Sequence, residues 1–95
     1  MRTIERANSF KRDYKREAKG QYRATLDVML LPVLQALVSD QALGWQYHDH
    51  ELVGNWAGYR ECHLKPDLLL IYRKWESEEA QLLCLARLGS HSELF

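Results

Sequence analysis

No stretch of the chain approaches the roughly 20 consecutive apolar residues of a membrane-spanning helix, so no membrane partner is expected. The opening residues, MRTIERANSF, lack the apolar centre of a signal peptide, and a cytoplasmic location is expected. Cysteine is scarce. Cys62 and Cys84 each sit in an apolar run, which suits reduced core thiols better than a disulfide framework. The strong metal spacings, C-x-x-C and H-E-x-x-H, are absent, so neither metal nor cofactor is expected. Repeats and low-complexity tracts are missing too. What remains is 95 residues, 46% of them hydrophobic, enough for one domain spanning 1–95 with a single modest core.

Net charge is also missing, but only in the sum. Residues 1–23 carry eight basic side chains against three acidic ones, a balance of +5, and the remainder is −5. A one-sided basic face can hold a polyanion, and Lys11, Lys15 and Lys19 are its candidates. The alternative is a solvated helix face.

Residues 2–7 are read as a short strand. Asn8 or Ser9 offers a helix N-cap, and Phe10, Tyr14 and Ala18 recur every four residues along a helix over 10–19. Gly20 stops it. A second helix is predicted over 21–39, largely buried, with Pro32 kinking or breaking it near Leu31. Residues 40–56 are read as loop. The runs GYRECHL, DLLLIYRK and QLLCLARL are read as strands, separated by the turn at LKP and the polar ESEEA, and SHSELF closes the chain. The order predicts an α+β fold: an N-terminal strand, a two-helix hairpin and a three-stranded antiparallel meander with a short C-terminal segment.

That topology gathers scattered polar residues. The first meander strand ends where the second begins, and the third returns to the same end. His63, Asp67, Arg87 and His91 are therefore expected to converge, with His50 delivered by the preceding loop. Imidazoles near neutrality give and take protons, and an arginine clamps a phosphate. No serine or cysteine stands out as nucleophile, so the substrate is expected to supply its own. The 2′-hydroxyl of RNA is such a group, and a metal-free ribonuclease fits these parts. A zinc-dependent hydrolase using His48, His50, His63 and His91 is the rival. The LKP turn leaves two registers open. A three-residue loop pairs His63 with Asp67, and a two-residue turn pairs Leu64 with Asp67. Trp56 with Gly54 and Gly58 is expected to fix the loop against the sheet.

The segment DHELVGNWAGYRECHLKPDLLLIYR, followed by RLGSHSELF, resembles the YafQ branch of the RelE/ParE superfamily of bacterial toxin–antitoxin ribonucleases. The shared pattern falls on Asp49, His50, Leu52, Gly54, Trp56, Gly58, Arg60, His63, Pro66, Asp67, Ile71, Tyr72, Gly89, His91, Leu94 and Phe95. The resemblance implies a toxin that cuts mRNA on the ribosome and is neutralised by a cognate antitoxin. It implies proton transfer by His91 and Asp67, positioning and charge stabilisation by His50 and His63, base stacking by Phe95, and Arg87 as a phosphate clamp. A gyrase-type inhibitor of the same fold, which cleaves nothing, is the competing function. It would have no need of the histidine set.

Overall fold

The computed structural model describes residues 1–95. One sheet of five strands carries the fold, in the order β1-β5-β4-β3-β2. The strands are β1 (Thr3–Arg6), β2 (His50–Glu51), β3 (Arg60–Lys65), β4 (Leu68–Glu76) and β5 (Gln81–Gly89). The β3-β4-β5 meander is antiparallel, and β1 adds to its edge parallel to β5. Helices α1 (Asn8–Glu17) and α2 (Leu26–Val38) pack on one face, and α3 (His91–Leu94) closes the chain.

The core follows from the apolar runs. Phe10 on α1 and Leu26, Leu30, Val33 and Leu37 on α2 meet Leu68, Leu70, Tyr72, Leu83, Leu85 and Leu88 of the sheet. Alternation along β4 sends Leu69 and Ile71 to the other face. There they form a smaller cluster with Ala86 and Leu94, with Leu52, Trp56 and Tyr59 packed against it. Trp56 thus does anchor the loop, its ring 5.2 Å from that of Tyr59. Gly54 (φ 69°) and Gly58 (φ 92°) take left-handed conformations that a side chain disfavours, so the loop can turn on either side of it.

Several local expectations are corrected. The α1 cap residue is Ala7, with no side-chain cap bond, because the Ser9 hydroxyl donates to the Ala86 carbonyl on β5 instead. α2 starts at Leu26 after a run of turns, and it continues through Pro32 to Val38 without a break. Proline removes the bond to the Val28 carbonyl, but Val28, Leu31 and Pro32 all face solvent, where water can satisfy that acceptor. For the same reason α2 is not largely buried: Val28 is 74% exposed. The stretch expected as plain loop holds two one-turn 3-10 helices, at Trp45–Tyr47 and Gly54–Trp56, besides β2. Neither register foreseen for LKP occurs. Lys65 pairs with Leu68 and His63 with Leu69, with a bulge at Leu64, so Pro66 and Asp67 form the turn.

Candidate active site

β3 builds the centre of the site. Its alternation puts Cys62 and Leu64 into the helix-side core, and Glu61 and His63 on the opposite face. β2 places His50 directly across from Glu61. At the end of β5 the sequence SHSE forms a capping box: the Ser90 hydroxyl accepts from the Glu93 N–H, and the Glu93 carboxylate accepts from the Ser90 N–H. This one-turn helix presents His91 and Phe95 over the same face. Asp67, in the β3-β4 turn, accepts both the backbone N–H of His91 and its ring Nδ1, each at 3.0 Å. Those two bonds, the backbone one first, hold the Asp67 carboxyl below the usual carboxylate range.

The hub is Glu61, a residue that sequence reasoning missed. Its side chain is only 6% exposed. His50 Nε2 lies 3.0 Å from Oε2, and the Nε2 atoms of His91 and His63 lie 3.8 and 4.0 Å from Oε1. Oε1 is buried and has no hydrogen-bond partner. The signal was present: Glu61 and His63 are two apart in a strand and must share a face.

Each imidazole is oriented from behind. His50 Nδ1 faces the His48 carbonyl at 2.6 Å, His63 Nδ1 the Pro66 carbonyl at 3.4 Å, and His91 Nδ1 the Asp67 carboxylate. These partners can only accept, so each Nδ1 carries the proton and each Nε2 turns inward. The rings form a row: His48 to His63 at 5.6 Å, His63 to His91 at 5.7 Å, His91 to Phe95 at 6.4 Å. Phe95 is 59% exposed, open to stack on an incoming ring.

The structure therefore brings together His50, His63, Asp67, His91 and Phe95. It does not bring Arg87. The bulge at Ala86 breaks the alternation of β5 before Arg87, and Asp13 of α1 takes its guanidinium at 2.7 and 3.3 Å. Lys11 and Lys15 rim a separate groove between α1 and α2, floored by Phe10, Tyr14, Leu30 and Leu34, and Lys19 lies in the turn after α1. Asp49 braces the scaffold, accepting from the Tyr72 hydroxyl at 2.6 Å and from Arg60 at 3.3 Å. The three donors His50, Glu61 and His63 have ligand atoms within 4.8 Å of one another and can hold a borderline divalent ion such as zinc or copper. No helix is long and apolar enough to cross a membrane.

Residues 2–95 match the family model described as the bacterial toxin of the type II toxin–antitoxin system, YafQ. The mRNA interferase toxin YafQ of Escherichia coli strain K12 is 33% identical over 94 residues, covering 97% of this chain and 98% of the relative. Among solved structures, a copper-bound mutant toxin from Helicobacter pylori superposes with a TM-score of 0.83 at 37% identity, covering all of both chains. The toxin in the E. coli DinJ–YafQ complex gives 0.80 at 33% identity, covering 100% of this chain and 99% of that one.

Proposed function

The chain belongs to the YafQ family of bacterial toxins of type II toxin–antitoxin systems, and from that premise we propose how it acts. It is an mRNA interferase, an endoribonuclease, and its α+β fold is the one its relatives share. We propose that it works on mRNA in the ribosome, that it resides in the cytoplasm, and that a cognate antitoxin restrains it, as DinJ is complexed with the E. coli toxin.

The reaction needs no cofactor. The RNA 2′-oxygen forms a bond to the adjacent phosphorus and the bond to the 5′-oxygen breaks, leaving a 2′,3′-cyclic phosphate and a 5′-hydroxyl. One proton leaves the 2′-hydroxyl and one reaches the 5′-oxygen, so the site must both take and give. His91 moves the proton, and Asp67 on its Nδ1 stabilises the imidazolium that forms. His50 and His63 supply positive charge to the pentavalent phosphorane. Glu61 is too enclosed to touch RNA and acts through the rings, as their counter-charge. Phe95 stacks a base beside His91. Arg87 has no place in this scheme while Asp13 holds it.

The observation that carries the reading is the inward convergence of three Nε2 atoms, each ring pinned at Nδ1. The donors that serve the chemistry also form a metal trap, and a toxin from H. pylori has been crystallised with copper. On this reading such an ion is an inhibitor, because it occupies the nitrogens that the proton steps require. The test is induction in a bacterial host with mapping of mRNA ends. His91→Ala and Asp67→Asn should lower cleavage by about 10²–10⁴-fold. Their melting temperatures should stay close to the parent, since both side chains are more than half exposed. Parental cleavage in either variant would refute the assigned roles.

A further inference from the structure

A cleft of about 770 Å³ opens beside the imidazole row, at the end opposite Phe95. Gln46, Tyr47 and His48 wall one side, and His63, Lys65 and Pro66 the other. Its size falls in the roughly 300–1,000 Å³ range of small-molecule sites. Its chemistry is one-sided. Although the chain has as many acidic as basic residues, no aspartate or glutamate lines this cleft, whereas His48, His50, His63 and Lys65 all do. That lining suits an anion. The Tyr47 ring and the imidazoles suit a flat, aromatic one.

The 3-10 turn that carries the wall reads as built for display. Trp45 starts it outside the lining of the cleft and stands 86% exposed, a large apolar ring with no packing role. The next residue, Gln46, offers an amide with both donor and acceptor, as a base edge requires. That amide folds back over Gly44, so closely that any side chain at 44 would meet it. His48 ends the turn in the left-handed region at φ 49°, a conformation uncommon for histidine outside special sites. That conformation accompanies the aim of its carbonyl at His50 Nδ1. The cleft and the catalytic rings are thus one continuous surface, joined at His48, His50 and His63.

We propose that this cleft is a second nucleotide subsite, which receives the base on the far side of the scissile phosphate from the one stacked on Phe95. Gln46 reads the base edge, Tyr47 stacks it from the wall, Trp45, next to Gln46 and outside the lining, covers it from solvent, and Lys65 neutralises a flanking phosphate. The inference rests on the ribonuclease reading of the site and adds the element that makes cleavage depend on sequence. A peptide of the antitoxin is the other class of occupant, and the absence of lining carboxylates together with the exposed ring favours RNA.

The probe is a trinucleotide with 2′-deoxy sugars, which cannot react, titrated into the isotopically labelled full chain and followed by NMR. The Trp45 indole N–H and the Gln46 side-chain amide should shift together with Phe95. Trp45→Ala, at a site without packing, should weaken binding by about 5- to 150-fold, the effect of losing one stacked base. In parallel, ribosomes carrying mRNAs that vary one base at a time in the A-site codon are treated with parent and variants. Gln46→Ala should flatten the preference at one codon position, while His91→Ala abolishes cleavage at all of them. Shifts confined to the Phe95 end, or a parental codon profile in both Trp45→Ala and Gln46→Ala, would overturn the subsite and leave the ribonuclease reading intact. A parent that cleaves no RNA would overturn both.

Discussion

Glu61 is the residue whose replacement separates the site's chemistry from the fold's stability. Its carboxylate faces three imidazoles, with two Nε2 atoms at 3.8 and 4.0 Å from an oxygen that has no partner. Two unit charges about 4 Å apart interact by roughly 4 kcal/mol at an effective dielectric of about 20. The His50 and His91 side chains are more than half exposed, and solvent screening cuts that to about 1–2 kcal/mol per ring. Each 1.4 kcal/mol is tenfold in rate. Glu61→Gln should therefore lower kcat by about 10- to 100-fold and leave KM nearly unchanged, because Glu61 does not touch the RNA. Stability does not fall with it. A buried acceptor without a donor costs roughly 1–3 kcal/mol. Glu61→Met removes it and fills the space with apolar atoms. For a domain of this size about 1 kcal/mol moves the melting temperature by roughly 4–8 °C. Glu61→Met also gives up the 3.0 Å contact of Oε2 with the half-exposed His50 ring, worth about 1 kcal/mol or less, so it should melt no lower than the parent while cleaving poorly. The assays are scanning calorimetry and steady-state cleavage by programmed ribosomes. A fall in melting temperature of more than about 5 °C in Glu61→Met would refute the reasoning, since it would make Glu61 an anchor of the fold.

Three further outcomes are expected. Replacing Lys11, Lys15 and Lys19 together with glutamate should weaken ribosome association and flatten its dependence on salt, because fewer counterions are released; an unchanged salt slope would leave α1 as an ordinary solvated face. Zinc or copper in excess should suppress cleavage and a chelator restore it, with His50→Ala losing the sensitivity; activation by the ion would argue for a metal-dependent hydrolase. Asp13→Asn should cost about 3–5 kcal/mol in denaturant unfolding near neutral pH, because Arg87, Arg16 and the Leu88 N–H all lose a buried carboxylate. Burial alone would raise the Asp13 carboxyl, but the bonds from Arg87, Leu88 and Arg16 outweigh it and hold it below the usual range. Its folded value lies below its unfolded one, so its stabilisation is complete above the ordinary carboxylate range and fades as the pH falls through it. The gap between parent and Asp13→Asn should narrow in acid, and a gap that stayed constant would refute the assignment.

How far the site could be read in advance depended on what kind of information each residue carries. The runs DLLLIYRK and QLLCLARL announce strands because both faces of β4 and β5 are covered, and no polar residue is tolerated across Leu68–Tyr72. Antiparallel connectivity brings His63, Asp67 and His91 to one end of the sheet, but the face that His63 takes depends on register, and the bulge at Leu64 sets it. The turn takes neither expected register, and the cluster still forms. Arg87 and Glu61 are the instructive failures, and they fail for one reason. Both are charged residues in strands, and a charged residue in a strand invites a solvent-facing or ligand-facing assignment. Whether it is instead buried depends on a partner supplied by another element. Asp13 lies 74 positions from Arg87, in the middle of a helix whose basic neighbours suggested a wholly solvated face. Glu61 is enclosed by a two-residue strand and a four-residue helix, elements too short to show any period. What could have been used is alternation. Glu61 and His63 share a parity in β3. Parity alone sends Glu61 toward the histidines, whereas the bulge at Ala86 breaks the alternation before Arg87, and only its partner Asp13 shows where it goes. The bulge between Ile71 and Tyr72 then lets Leu88 rejoin the helix-side core, while Ala86 stays with Leu69 and Ile71. That shift seats α1 on the end of β5, where Arg16 binds both the Leu88 carbonyl and Glu93 of α3 at 2.9 Å. The arginine expected to clamp phosphate therefore helps to hold the platform from which His91 works.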